Sequence, residues 1–263
     1  MAYTRIKNKA IHFTASGKGG TIVLLHGFTE DLRIWKHFSV KLSKHYRVIC
    51  IDLPGHGKSE CIAETHTMEL MADTISAMLK QLKVKKCLMI GHSMGGYVTL
   101  AFASKFPGML KGFGLFHSHC FADSPEDKRN RTRTIEVVKK DRFGFLSLFI
   151  TGLFPAEVRR KFSKEIEYLK SCANEIPREG IIAALKGMRV RKDQTALLSS
   201  TELPVLFILG LKDSKAPVSR LWQMISLPAV SESLILRECG HMGYIEAPAI
   251  TLKTIRNFAR KVF

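Results

Sequence analysis

The sequence predicts an α/β protein: a mainly parallel sheet covered by helices on both faces, with one helical insertion. Three observations predict it. Short runs of consecutive aliphatic and β-branched residues, the kind that form strands buried on both faces, recur along the chain. Between them lie longer stretches with apolar residues at helical spacing, the rhythm of right-handed βαβ units. That rhythm stops from Cys120 to about Ser200, where only helical patterns occur.

Taken in order, residues 1–14 read as a short extended entry with Tyr3, Ile6, Ile11 and Phe13 as its apolar positions. Ser16-Gly17-Lys18-Gly19-Gly20 is a turn cluster. Thr21 to Leu25 is the first fully buried strand and ends at His26-Gly27-Phe28. Residues 31–44 place Ile34, Trp35, Phe38, Val40 and Leu42 at helical spacing. Tyr46 to Ile51 is a second buried strand, closed by Asp52-Leu53-Pro54-Gly55-His56-Gly57. Thr67 to Leu82 carries Leu70, Met71, Ile75, Met78 and Leu79 on one helical stripe. Cys87 to Ile90 is a third buried strand and runs through a glycine-rich turn into a helix ending near Lys105. Leu110 to Phe116, Val205 to Leu209 and Ser233 to Leu236 are strand-like, and a closing helix spans about Pro248 to Lys261.

The segment without strands is too long for a loop inside a compact domain. It reads as a helical cap, residues 120–200, inserted into a core domain of residues 1–119 and 201–263. A chain of 263 residues buries enough core to fold without disulfides or metal. The six cysteines (Cys50, Cys61, Cys87, Cys120, Cys172, Cys239) are scattered and form no CxxC pair, which suits reduced, mostly buried thiols. No apolar run approaches the roughly 20 residues of a membrane span. The start of the chain also lacks the apolar stretch of a signal peptide, so a cytoplasmic location is expected. The formal charge of +18 invites a nucleic-acid reading. The excess is spread along the chain, with no RNA-binding signature and no aromatic–basic interleaving, so the expectation is a basic solvated surface and no nucleic-acid partner.

The chemistry concentrates in Gly91-His92-Ser93-Met94-Gly95, followed by Gly96. A sharp strand-to-helix turn lifts one side chain to the top of a sheet and crowds the backbone around it, so the positions two before and two after must be small. Serine in that place is a nucleophile awaiting a base, and the helix start behind it offers backbone donors to a developing oxyanion.

Four stretches together make the chain resemble the α/β-hydrolase superfamily over essentially its whole length: Leu24-Leu25-His26-Gly27-Phe28, Asp52 to Ser59, Gly91 to Gly96, and Gly240-His241. The resemblance implies an eight-stranded, mainly parallel sheet with a helical cap after the sixth strand. It also implies a nucleophile, acid and base in chain order Ser, Asp, His. Ser93 is then the nucleophile. His241, in Gly240-His241-Met242-Gly243, matches the family's catalytic histidine loop, whereas His26, His56 and His92 sit in motifs that shape loops. Asp213 holds the usual acid position, after Val205 to Leu209 and before Ala216-Pro217-Val218, with Asp123 as a second candidate. The oxyanion hole is expected from the backbone N–H groups of Phe28 and Met94, whose side chains would also wall the pocket. Asp52 reads as structural, and His117-Ser118-His119 as pocket lining rather than a metal cluster. No cofactor and no metal are expected.

The reaction implied is acyl transfer, most simply hydrolysis of a small carboxylic ester. Serine at position 93 argues against relatives with a nucleophilic aspartate. C–C bond hydrolysis, enol-lactone opening, thioester cleavage, cofactor-free haloperoxidase chemistry and a menaquinone-pathway elimination stay open, as does a slow-hydrolysing ligand sensor. Phe143, Phe145, Leu148, Phe149, Leu153 and Phe154 suggest an apolar pocket roof, or packing within the cap. Arg129, Arg131 and Arg133 read as a solvated helix face, with an acidic substrate as the alternative. Whether the protein is a monomer or a dimer is not legible.

Overall fold

The structure, a computed structural model, describes residues 2–6, 8–215 and 218–263. It opens on an antiparallel hairpin, β1 (Ala2–Ile6) and β2 (Lys9–Ser16), so the extended entry is two strands and not one. Asn8, at φ 65°, supplies the left-handed turn between them. The Thr21 run forms β3 (Thr21–Leu25), followed by a single 3₁₀ turn (Leu32–Trp35), α1 (Lys36–Leu42) and β4 (Arg47–Ile51). Next come α2 (Met68–Gln81), β5 (Cys87–His92), α3 (Met94–Lys105) and β6 (Leu110–Phe116). Thr67 starts α2 by accepting a hydrogen bond from the Leu70 N–H at 3.1 Å.

Between β6 and β7 (Val205–Gly210) the described residues hold no strand. They form α4 (Pro125–Lys140), α5 (Arg142–Thr151), α6 (Ser163–Asn174), α7 (Arg178–Arg189) and α8 (Thr195–Ser200). The chain closes with α9 (Val218–Ile225), β8 (Ser231–Leu236), α10 (Gly243–Glu246) and α11 (Pro248–Val262). The sequence pattern assigned no helix at α9 or α10. Ala216-Pro217, expected just after the acid, lies outside the described residues.

The eight strands form one sheet in the order β1-β2-β4-β3-β5-β6-β7-β8, with β3 to β8 parallel and β2 alone running against its neighbours β1 and β4. Every residue of β3, β5 and β7 is buried, which requires cover on both faces and explains the unbroken apolar runs. β1 and β8 are the edges, and their residues alternate in exposure. The central strands end together, so the turns after β3, β5, β6 and β7 converge at one rim. No helix among the described residues is long and apolar enough to cross a membrane.

The helical segment is fastened at its base by charge. The carboxylate of Asp123, buried where the segment begins, pairs with Arg131 of α4 and with Arg191, just past α7. The Gln194 N–H donates to the Cys120 carbonyl at 2.8 Å, and the Arg191 guanidinium lies 4.2 Å above the Tyr97 ring of α3. One carboxylate thus ties entry to exit, and removing it would leave two arginines uncompensated in a partly dry site.

Three buried histidines make stability acid-sensitive. Burial pushes the imidazole of His56 down to about 3, and those of His66 and His117 to about 4, from an ordinary 6.5. Each stays neutral in the fold but takes up a proton in the unfolded chain below pH 6.5. Their stabilising contribution is whole above that value and is lost as pH falls towards 4. Urea unfolding between neutral pH and pH 5 should therefore show stability falling by up to about 1.4 kcal/mol per pH unit for each histidine. A flat profile over that range would contradict the assignment.

Candidate active site

Ser93 is the only residue between β5 and α3, and it sits at φ 50° and ψ −115°. Such a conformation is strained for any residue with a Cβ, by about 1–3 kcal/mol, and persists only where its surroundings impose it. The surroundings are visible. A Cβ on Gly91 would collide with the Gly95 carbonyl, and one on Gly95 would lie 2.6 Å from the carbonyl oxygens of Leu25 and His26. Both glycines are demanded by space. The Ser93 N–H donates to the Phe116 carbonyl at 2.9 Å, and the Ser118 hydroxyl donates to the Ser93 carbonyl at 2.8 Å.

His241 reaches Ser93 from the rim turn after β8. Its Nε2 is 2.9 Å from Ser93 Oγ and its Nδ1 is 2.8 Å from Asp213 Oδ2. A carboxylate only accepts, so Nδ1 carries the proton given to Asp213, and Nε2 is left to accept from the serine hydroxyl. The loop around His241 is fixed on both sides: Glu246 accepts from the N–H of Gly240 at 2.9 Å and of Met242 at 3.0 Å. The His241 N–H itself donates to the Leu153 carbonyl of the helical segment at 3.1 Å.

Asp213 lies in the turn after β7, its side chain almost wholly buried. Its other oxygen accepts from the Lys215 N–H at 2.8 Å. Burial alone would raise this carboxyl, but His241 and the neighbouring His117 outweigh burial and hold it far below the usual carboxylate range. It is therefore ionised at neutral pH.

Ser93 and His241 open into a cavity of about 650 Å³ beneath the helical segment. Phe28, Phe145 and Phe149 form an apolar side, with the rings of Phe28 and Phe149 edge to face at 5.4 Å. Polar side chains line it as well, among them Tyr97, His119, Asp123, Asn130, Arg131 and Arg191. An apolar roof is therefore only half right. Phe145 and Phe149 share one face of α5, whereas Phe143 and Leu148 point outward at 57% and 79% exposure, and Leu153 and Phe154 are buried. Arg131 lines the cavity instead of a solvated helix face.

Phe28 lines the cavity, as expected, but the Met94 side chain does not. At the first position of α3 it is turned back into the core and fully buried. Among the described residues, neither the Phe28 nor the Met94 N–H is found donating a hydrogen bond. Of the His117-Ser118-His119 run, only His119 lines the cavity. His117 is buried beneath Asp213, with Nδ1 3.3 Å from Oδ2 but too oblique for a hydrogen bond. His117, Asp213 and His241 are the one group among the described residues with metal-ligand spacing. Asp213 and His241 already face each other at hydrogen-bonding distance, and the second nitrogen of His241 faces Ser93.

Asp123, the second acid candidate, is paired with arginines and not with His241. Asp52 accepts from the N–H groups of Leu32 at 2.8 Å and Lys58 at 2.9 Å and bonds His12 at 2.7 Å, a structural part. His26 likewise braces a loop, accepting from the Leu53 N–H at 2.9 Å. Glu30, from the loop after β3, and Tyr244 and Glu246, from α10, brace these turns and belong to no motif that marks them in the sequence.

The family described as alpha/beta hydrolase fold matches residues 20–131. A thermophilic esterase from Thermogutta terrifontis, solved with malate bound, is 33% identical, with 99% of this chain and 97% of that one covered and a TM-score of 0.93. The chain belongs to the α/β-hydrolase family. Two curated relatives extend the comparison. This α/β hydrolase is 29% identical, over 96% of its length and 91% of the other's, to a 2-hydroxy-6-oxononadienedioate/2-hydroxy-6-oxononatrienedioate hydrolase of Escherichia coli K12. It is 31% identical, over 95% of its length, to the dihydrolipoyllysine-residue acetyltransferase component of the acetoin cleaving system of Pseudomonas putida, and spans 66% of that protein.

Proposed function

We propose that this α/β hydrolase is a serine hydrolase of small carboxylic esters, working through Ser93, His241 and Asp213. The observation that carries the reading is the unbroken chain from Ser93 Oγ through His241 to Asp213, with contacts of 2.9 and 2.8 Å, opening into a cavity of ligand size. His241 takes the hydroxyl proton as Ser93 attacks the acyl carbon, and Asp213 stabilises the imidazolium that results. The tetrahedral oxyanion is held by the N–H groups of Phe28 and Met94. Collapse expels the alcohol, which receives the proton from His241, and leaves an acyl-serine. Water, activated by the same histidine, then releases the acid. Residues 120–200 act as a cap on the core of 1–119 and 201–263, its aromatic face covering the acyl group. The substrate is taken from the cytoplasm and needs no cofactor.

A second reading, C–C bond hydrolysis on the same three residues, is favoured by the similarity to the E. coli hydrolase. A panel of p-nitrophenyl esters of rising chain length separates the two. The expected result is turnover of the short-chain esters at about 10 per second, an ordinary value for an enzyme. Inertness on every ester, with turnover of a vinylogous diketone or an enol-lactone, would move the assignment to the second reading. Binding without turnover of either would make the protein a sensor.

A further inference from the structure

The buried pair His92 and Glu30 has no part in the steps above, yet its hydrogen bonds reach both halves of the site. His92 Nδ1 is 2.9 Å from Glu30 Oε2, and His92 Nε2 is 2.9 Å from the His241 carbonyl. Both of these partners are oxygens that accept. Glu30 is committed as an acceptor, because the same Oε2 receives the Gly27 N–H at 2.5 Å and Oε1 receives the Tyr244 hydroxyl at 2.9 Å. A neutral imidazole has one N–H and could satisfy only one of its two neighbours. We infer that His92 is an imidazolium at neutral pH, paired with the Glu30 carboxylate, and that this ion pair is the positioning element that holds the His241 loop and the Phe28 loop in register with Ser93.

The geometry gives each bond a task. His92 immediately precedes Ser93, so its position is set by the same turn. Its Nε2–H fixes the peptide of His241 from below, while Asp213 fixes the ring. Through Glu30 the pair holds the Gly27 N–H, and thereby orients the next peptide, whose N–H is the proposed Phe28 oxyanion donor. Tyr244, in the short helix after His241, closes the network on its far side. There is no slack in it: a Cβ on Gly27 would lie 2.7 Å from Glu30 Oε2 and 2.9 Å from His92 Nδ1.

The electrostatics agree. Burial opposes charge on His92, but the Glu30 carboxylate, the His241 carbonyl and the more distant Asp213 outweigh it and hold the imidazole above its ordinary value. Burial likewise opposes charge on Glu30, and His92, the Gly27 N–H and His26 hold it below the usual range. The remaining titratable groups facing His92 are the rings of His241 at 5.1 Å, His117 at 6.2 Å and Tyr244 at 5.2 Å. His117 is neutral and Tyr244 is pushed well above its ordinary value, so neither competes with Glu30 as the counter-ion. Because the folded value of His92 is raised, its contribution is present below its ordinary value and is lost as pH rises through the raised one.

The decisive test is long-range proton–nitrogen NMR of ¹⁵N-histidine-labelled protein at neutral pH, with the His92 signals identified by their loss in His92→Gln. Both ring nitrogens of His92 should carry protons. An unprotonated ring nitrogen would overturn the inference, whatever the protein does to esters. The positioning role, which rests on the proposed triad, is read separately in Glu30→Gln, provided its melting temperature shows a folded protein. Its kcat should fall about 10- to 100-fold with KM nearly unchanged, as expected for misplaced catalytic groups. If its kcat falls as pH rises above neutrality, that fall should begin at lower pH than in wild type, since His92 has lost its counter-ion. An unchanged kcat with an unchanged pH profile would confine the pair to a structural role.

Discussion

Ser93→Ala should abolish ester turnover, lowering kcat by about a million-fold, as removal of the nucleophile does where three residues act as a unit. The residue left behind should still fold. Alanine fits the space of serine, and the Ser93 backbone bonds to Phe116 and Ser118 do not involve the lost hydroxyl. Substrate binding in the cavity should survive, since Ser93 is only one of its many walls. Inactivity together with an unchanged melting temperature and retained product inhibition separates a missing nucleophile from a damaged fold. Stopped-assay kinetics with concentrated enzyme checks it, and residual activity above about a thousandth of wild type would place the nucleophile elsewhere.

Asp213→Asn is expected to lower kcat by about ten-thousand-fold while changing stability little, the pattern of a histidine held in the wrong tautomer. The carboxamide is isosteric and can still accept the Lys215 N–H. Towards His241 Nδ1, however, it can present a donor where the carboxylate presented an acceptor. The imidazole then carries its proton on Nε2, facing a serine hydroxyl it can no longer deprotonate. Asp123→Asn provides the contrast. It would loosen Arg131 and Arg191 at the base of the helical segment and reduce thermal stability, without touching His241. Steady-state kinetics of the two variants side by side distinguishes the acids: equal losses of kcat would contradict the assignment to Asp213.

The sequence made legible whatever repeats a local rule. Thr21 to Leu25 coincides with β3, because a strand buried on both faces has an unbroken apolar run, and Leu110 to Phe116 coincides with β6, buried at every position but Lys111. The turn at Ser93 was legible for a steric reason, since Gly91 and Gly95 stand where another side chain would strike backbone. The hairpin of β1 and β2 was not separated from a single strand, because Asn8 is a weak turn signal compared with a glycine. Met94 was expected in the pocket wall because it follows the nucleophile. The start of α3 turns its side chain the other way, a fact of helix direction that motif spacing does not carry. Of the polar lining, His119 is expected from its run and Arg131 only as an alternative, while Tyr97, Asp123 and Arg191 carry no such signal because they come from three separated stretches. The Glu30–His92–Tyr244 network is a non-local assembly of the same kind, brought together only by the convergence of turns at one rim of the sheet.

The central claim, that Ser93 is an activated nucleophile, is tested most directly by labelling with a fluorophosphonate and reading the intact mass and the modified peptide. The account requires one phosphonyl group per chain, carried on the peptide that contains Gly91 to Gly96, and no labelling of Ser93→Ala. Labelling of Asp213→Asn should be slow, because His241 is then in the wrong tautomer. Folded wild-type protein left unlabelled, or labelled at any residue other than Ser93, would contradict the account.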